Sequence, residues 1–244
     1  MDYAIDVQNV SMVFNLEREI IESLKEYFIK LLKGQLHYDA FYALKNISFT
    51  LKHGESLALI GDNGSGKSTL LKIIAQIFKP TLGTVLVNGT IAPMIELGAG
   101  FDSELTAKEN VFLNGAFLGL SQNYLHDKYD EIIDFSELKE FEDVPIKNFS
   151  SGMRARLAFA ISTTVKPDIL IVDEILSVGD IKFKEKSSKR MNELLSDGTT
   201  LILVSHSLEQ VKNLCTKAIW LQKGEMVKKG DAFLICDEYL QNNK

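Results

Sequence analysis

The sequence predicts an α/β fold: a mostly parallel sheet buried on both faces, a phosphate-binding loop at its centre and a helical lobe inserted in mid-chain. Three observations predict it. Leu57-Ala58-Leu59-Ile60, Ile169-Leu170-Ile171-Val172 and Leu201-Ile202-Leu203-Val204 are short, wholly apolar runs, the pattern of parallel strands covered on both sides. Directly after the first run, Gly61-Asp62-Asn63-Gly64-Ser65-Gly66-Lys67-Ser68 fits G-x-x-x-x-G-K-[ST] at every fixed position. From Thr106 to Phe141 the apolar spacing is helical, with little strand character.

Along the chain, Ile5 to Phe14 reads as a first strand and Ala43 to Leu51 as the strand that pairs with it. Between them, over 16–42, an amphipathic helical insertion is predicted. Leu16, Ile20, Ile21, Leu24, Tyr27, Phe28, Leu31 and Leu32 recur at helical spacing with charged residues opposite, and Gly34 ends the run. Its apolar stripe either packs on the rest of the chain or lies at a membrane interface. The strand at 57–60, the glycine loop and a helix from Thr69 to Phe78 come next, then a strand at Thr84-Val85-Leu86-Val87 turning at Asn88-Gly89. The helical lobe covers about 100–165 and closes with a helix from Leu157 to Thr164. After it the α/β alternation returns: a strand at 169–172, a crossover helix from Lys184 to Leu195 and a strand at 201–204. A hairpin over Ala218 to Val227 turns at Lys223-Gly224, and Ala232 to Leu240 forms a terminal helix, so that 1–244 makes one domain.

Composition narrows the function classes. With 45% hydrophobic and 25% charged residues the chain has the make-up of a soluble globular protein. A net charge of −6 argues against nucleic acid as a partner. No apolar run approaches the roughly 18 residues of a membrane span, and the acidic start Met1-Asp2-Tyr3-Ala4-Ile5-Asp6 is unlike a signal peptide. Cys215 and Cys236 have neither disulfide-framework nor metal-ligand spacing, which points to a reduced, cytoplasmic setting.

The chemistry begins at the glycine loop. Strand, loop and helix start build a nest of backbone N–H groups at the positive end of a helix dipole. Gly61, Gly64 and Gly66 let the main chain curl around phosphate oxygens, Lys67 lies along the β- and γ-phosphates, and the Ser68 hydroxyl ligates Mg²⁺. Asp62, Asn63, Ser65 and Thr69 complete the nucleotide-binding set, so a nucleoside triphosphate is the expected ligand. The apolar strand at 169–172 ends in Asp173 and Glu174. A carboxylate at a strand end beside a phosphate loop anchors the metal, which suits Asp173, and Glu174 can reach the attacking water as general base. A third feature, Phe149-Ser150-Ser151-Gly152-Met153-Arg154-Ala155-Arg156, opens a helix and serves either as a plain cap or as a site that offers a hydroxyl and N–H groups to an anion.

These motifs, in this order, resemble those of the ATP-binding cassette (ABC) ATPases over nearly the whole chain, and imply a P-loop NTPase core with an antiparallel β subdomain and an inserted helical subdomain. Phe149-Ser150-Ser151-Gly152-Met153 resembles the L-S-G-G-Q signature of that family. Ser177-Val178-Gly179-Asp180 resembles its D-loop, and His206 matches its switch histidine. The resemblance implies a head-to-tail dimer in which ATP and Mg²⁺ on one copy are capped by Ser150, Ser151, Gly152 and Met153 of the other. His206 then stabilises the γ-phosphate and Asp180 belongs to the D-loop. Phe14 is the candidate for stacking on adenine, with Tyr42 as the alternative and a core role open for either.

Two departures from the family pattern are visible. Glu96, in Ile95-Glu96-Leu97-Gly98-Ala99-Gly100-Phe101, stands where a metal-contacting glutamine is usual, and the signature has Ser151 and Met153 in place of glycine and glutamine. Both departures, with the insertion, resemble the ATPase subunits of bacterial polysaccharide exporters. That resemblance implies a peripheral subunit at the cytoplasmic face of the membrane. Its partners would be a second copy, an integral membrane permease and a lipid-linked O-antigen, capsule or teichoic-acid polymer as cargo. The alternatives are the ATPase of another ABC transporter or a soluble ABC ATPase; a small-molecule kinase would leave the signature, Asp180 and His206 without a role.

Overall fold

The computed structural model describes residues 3–17, 38–94, 98, 100–173, 180–205 and 207–242. Two sheets organise these residues. Strands β1 (Tyr3–Glu17), β2 (Tyr38–Lys52) and β4 (Leu82–Val87) form an antiparallel sheet in the order β2-β1-β4. The second sheet contains β3 (Ser56–Ile60), β5 (Ile91–Met94), β6 (Ile169–Asp173), β7 (Thr200–Val204), β8 (Lys217–Gln222) and β9 (Glu225–Asp231), in the order β5-β6-β7-β3-β8-β9. It is parallel from β5 to β8, and β9 joins antiparallel at the edge.

The wholly apolar runs serve two cores at once. Side chains alternate across a strand, so Leu57, Leu59, Ile169, Ile171, Ile202 and Ile219 face the antiparallel sheet and helix α1 (Lys67–Ile74). Their neighbours Ala58, Ile60, Leu170, Val172, Leu203 and Trp220 face α5 (Ile181–Ser196), α6 (Leu208–Leu214) and α7 (Ala232–Asn242). A polar residue anywhere in these strands would be buried on one side or the other.

The helical lobe consists of α2 (Ala107–Phe117), α3 (Gln122–Ser136) and α4 (Ser151–Ser162) around Val111, Ile132, Ile133, Leu157 and Ile161. Thr106 and Glu109 close a reciprocal capping box that starts α2, and the fully buried Asn110 side chain ties the preceding loop down through Asp102 and Leu105. Phe135, Phe159 and Phe183 join lobe to sheet, their ring centroids 5.8–6.1 Å apart, with the Lys186 ammonium 4.6 Å above the Phe135 ring.

Three features differ from the sequence expectation. The first two strands run on to Glu17 and back to Tyr38, paired in register as Leu16↔Asp39 and Glu17↔Tyr38. Positions 16–17 and 38–42 of the expected helical insertion are therefore strand, and 18–37 lie outside the described residues. Helix α4 begins at Ser151 rather than Leu157, because its first turn is polar and the Ser150 cap, not the apolar periodicity, sets its start. Helix α6, two turns beginning at the Ser207 cap, is too short to show a helical period. Among the described residues no helix is long and apolar enough to cross a membrane.

Candidate functional site

The glycine loop joins β3 to α1 in the middle of the parallel sheet, at the carboxyl end of β3. Its curvature depends on residues without a Cβ. Gly66 has φ of +104°, and a Cβ there would lie 2.6 Å from the Ala43 carbonyl oxygen. Gly61, at φ +143°, would drive one to 2.1 Å from the Leu221 carbonyl oxygen. The loop therefore seats tightly on β2 and β8.

Lys67 bridges the loop. Its side chain is almost fully buried, and Nζ donates to the carbonyl oxygens of Gly61 at 2.7 Å and Asp62 at 2.8 Å. This holds an ammonium at the mouth of the N-terminal end of α1, where two positive contributions add: the charge itself and the helix dipole. A cleft of about 370 Å³ opens in front of it, lined by Asn63, Gly64, Gly66, Lys67, Ser68, Thr69, Asp173 and Val204 on one side and by Phe14, Phe41 and Ala43 on the other. Sequence positions more than 100 apart thus converge: Ser68 from the helix start and Asp173 from the end of β6, whose neighbour across the sheet is Val204 of β7.

Phe14 lines the cleft as expected. Tyr42 does not, whereas Phe41 does. The register explains the exchange: Phe14 is directly opposite Phe41 on the β1–β2 pair, and Tyr42 is opposite Val13. Phe14 and Phe41 therefore share one face, and Tyr42 projects from the other. The Phe78 ring meets Phe14 edge-on at 6.3 Å, fixing its plane. Pairing Phe41 with Phe14 needed a register that the apolar pattern alone did not supply. Both rings offer a face on which the base of ATP would stack, which the double change Phe14→Ala and Phe41→Ala tests. Losing stacking on both rings is expected to weaken ATP about tenfold or more while weakening inorganic triphosphate hardly at all, measured by competition titration.

The donor set fits Mg²⁺. Ser68 and Asp173 present a hydroxyl and a carboxylate to the same cleft, hard oxygen donors of the kind that bind Mg²⁺ through one or two protein ligands plus substrate phosphates and water. Among the described residues no cluster of three or more His, Cys, Asp or Glu forms.

Ser150, Ser151, Gly152 and Met153 stand apart from this cleft, at the start of α4. Ser150 Oγ accepts from Met153 N at 3.2 Å, which is the cap, and its O–H remains able to donate. Ser150 and Ser151 are exposed, with Phe149 buried beneath them as an anchor. Arg156, one turn on, bonds to Asp180 at 2.5 Å and to Glu137 at 3.0 Å. Asp180 also caps α5 through Phe183 N at 3.0 Å. That bond, with Arg156 adding to it, holds its carboxyl below the ordinary aspartate range. Helix α4 and Asp180 at the start of α5 are thus one hydrogen-bonded unit.

Glu96, Glu174 and His206 lie outside the described residues. Their described neighbours are ordered by specific contacts. Asp173 is the last residue of β6, and Ser205 Oγ both donates to Gln210 Oε1 at 2.9 Å and accepts from Ser207 N at 3.0 Å. Ser207 Oγ in turn accepts from Gln210 N at 3.3 Å, so position 206 is flanked by two fixed serines.

The ABC transporter family model matches residues 44–177. Over 99% of both chains, the sequence is 41% identical to the O-antigen export system ATP-binding protein RfbB of Klebsiella pneumoniae. It is also 41% identical to the teichoic acids export ATP-binding protein TagH of Bacillus anthracis, matching 98% of this chain but 43% of that protein. Among solved structures, a dimeric ATP-binding cassette in a post-hydrolysis state, bound to ADP and Pi, superposes with a TM-score of 0.72 at 25% identity, covering 93% of this chain and 98% of that one.

Proposed function

The chain belongs to the ABC transporter family and is an ATP-hydrolysing subunit of that family; from this premise we propose that it drives export of a lipid-linked polysaccharide. The cargo reading is supported above all by the similarity to an O-antigen export ATPase over 99% of each chain. The permease that spans the membrane is a separate chain, and this subunit sits against it at the cytoplasmic face.

The reaction follows from the residues. ATP enters with its base against the Phe14 and Phe41 rings and its phosphates on the N–H groups of Asn63 to Thr69. Ser68 and Asp173, together with Glu96, would hold Mg²⁺, which when bound offsets phosphate charge. Lys67 balances the β- and γ-phosphates from the floor of the loop. Ser150, Ser151, Gly152 and Met153 of a second copy close the cleft from the other side; the Ser150 O–H and the first-turn N–H groups of α4 donate to the γ-phosphate. Glu174 accepts a proton from water as its oxygen bonds to the γ-phosphorus, the bond to the β–γ bridging oxygen breaks, and ADP and inorganic phosphate form. His206 steadies the γ-phosphate and the water. Arg156 and Asp180 carry the closing motion of α4 to the dimer face.

Disrupting the chain in its host and restoring it with wild type or Lys67→Ala tests the cargo. Surface polysaccharide is expected to disappear and lipid-linked polymer to accumulate inside, with recovery only by wild type. Normal surface polymer after disruption would refute the export reading while leaving the ATPase reading intact.

A further inference from the structure

Helix α7 reaches back to the phosphate loop. The Tyr239 hydroxyl donates to Asp62 Oδ1 at 2.8 Å, joining residues 177 positions apart. The Tyr239 ring stands edge-on to Trp220 at 5.5 Å and 83°, and Trp220 pairs in the sheet with Ile60, the last residue before the loop. The hydroxyl is therefore delivered by a rigid path. Burial, then the bond to Asp62, pushes the phenol up to about 12, so it stays a proton donor at physiological pH.

Asp62 is held at both ends. Its carbonyl accepts from Lys67 Nζ at 2.8 Å and from Ser65 N at 3.1 Å, and its carboxylate takes the Tyr239 hydroxyl. The neighbouring Asn63 and Gly64 line the cleft, whereas Asp62 does not. That placement matters because a carboxylate swung into a site for a polyphosphate repels its ligand.

We propose that Tyr239 is a positioning residue for nucleotide binding, holding the Asp62 carboxylate on the α7 side of the phosphate loop and so keeping a negative charge out of the triphosphate cleft. The inference rests on residues 61–68 being the phosphate site. The terminal helix is thereby part of the nucleotide site without touching the nucleotide, and a shift of α7 is felt as a change in ATP affinity.

Titration of the purified full chain with ATP and with ADP, for wild type, Tyr239→Phe, Asp62→Ala and the double variant, tests it. Tyr239→Phe is expected to weaken ATP about fivefold and ADP about twofold, since repulsion grows with the charge of the phosphate chain. In the Asp62→Ala background the same change is expected to alter neither affinity. Wild-type affinities in Tyr239→Phe, equal losses for ATP and ADP, or an undiminished loss in the Asp62→Ala background would each overturn the proposal. Lys67→Ala run alongside separates the two levels: wild-type ATP binding by that variant would remove the phosphate-loop premise and this proposal with it.

Discussion

Replacing Glu174 by Gln is expected to reduce ATP turnover by about 10²- to 10⁴-fold, the contribution of a positioned general base, while ATP binding persists and an ATP-bound dimer accumulates. The change keeps the size of the side chain and removes only its capacity to take a proton. In the chain it directly follows Asp173, which ends β6 inside the cleft. In the proposed cycle Ser150 and Gly152 of a second copy hold the γ-phosphate and opening requires its loss, so the dimer is expected to persist in the variant. Phosphate release measured beside size-exclusion with ATP decides the matter. Brisk hydrolysis by Glu174→Gln would remove this residue as the base, and slow hydrolysis without a dimer would detach the signature from the catalytic cycle.

Lys67→Ala carries the second large effect, on binding rather than chemistry: ATP affinity is expected to fall about 100-fold, in line with truncating one partner of a desolvated charge pair. Two losses combine. The cation facing the phosphates disappears, and the Gly61 and Asp62 carbonyls lose the donor that crosses the loop. The second loss also acts without ligand: the buried Gly61 carbonyl loses this donor, at about 1–3 kcal/mol, while the Asp62 carbonyl keeps the Ser65 N–H, so the apo variant is expected to melt earlier than wild type. Nucleotide titration and a thermal melt on the same sample separate the terms. An unchanged affinity would contradict the phosphate-loop assignment; an unchanged melting temperature would confine the role of Lys67 to ligand binding.

Much of the sheet was legible from the chain itself because each central strand is buried on both faces. Leu57 to Ile60 and Leu201 to Val204 can only be apolar, and such runs stand out. The phosphate loop was equally plain, since its glycines answer to backbone geometry rather than to distant packing. Legibility ended where pairing began. Glu17 and Tyr38 extend the first two strands because they face each other, a relation that local helical spacing on either side conceals. Phe41 enters the cleft by the same register that excludes Tyr42. Arg156 with Asp180 and Asp62 with Tyr239 are contacts between elements far apart in sequence, and no local pattern announces them.

The long β1–β2 pair has a mechanical meaning. Phe14 and Phe41 form one rung of this ladder, and the described pairing runs three rungs further, to Glu17 and Tyr38. At 3.2–3.4 Å per residue that last rung lies only about 10 Å from the two rings. The pair thus behaves as a stiff two-rail lever, with its fulcrum where β1 and β2 pack on the core. Torque applied to the segment between the rails reaches the two rings through the cross-strand hydrogen bonds, with no loop in between to absorb it. Any force on the chain between Glu17 and Tyr38 is therefore delivered three residues from the two rings that line the cleft.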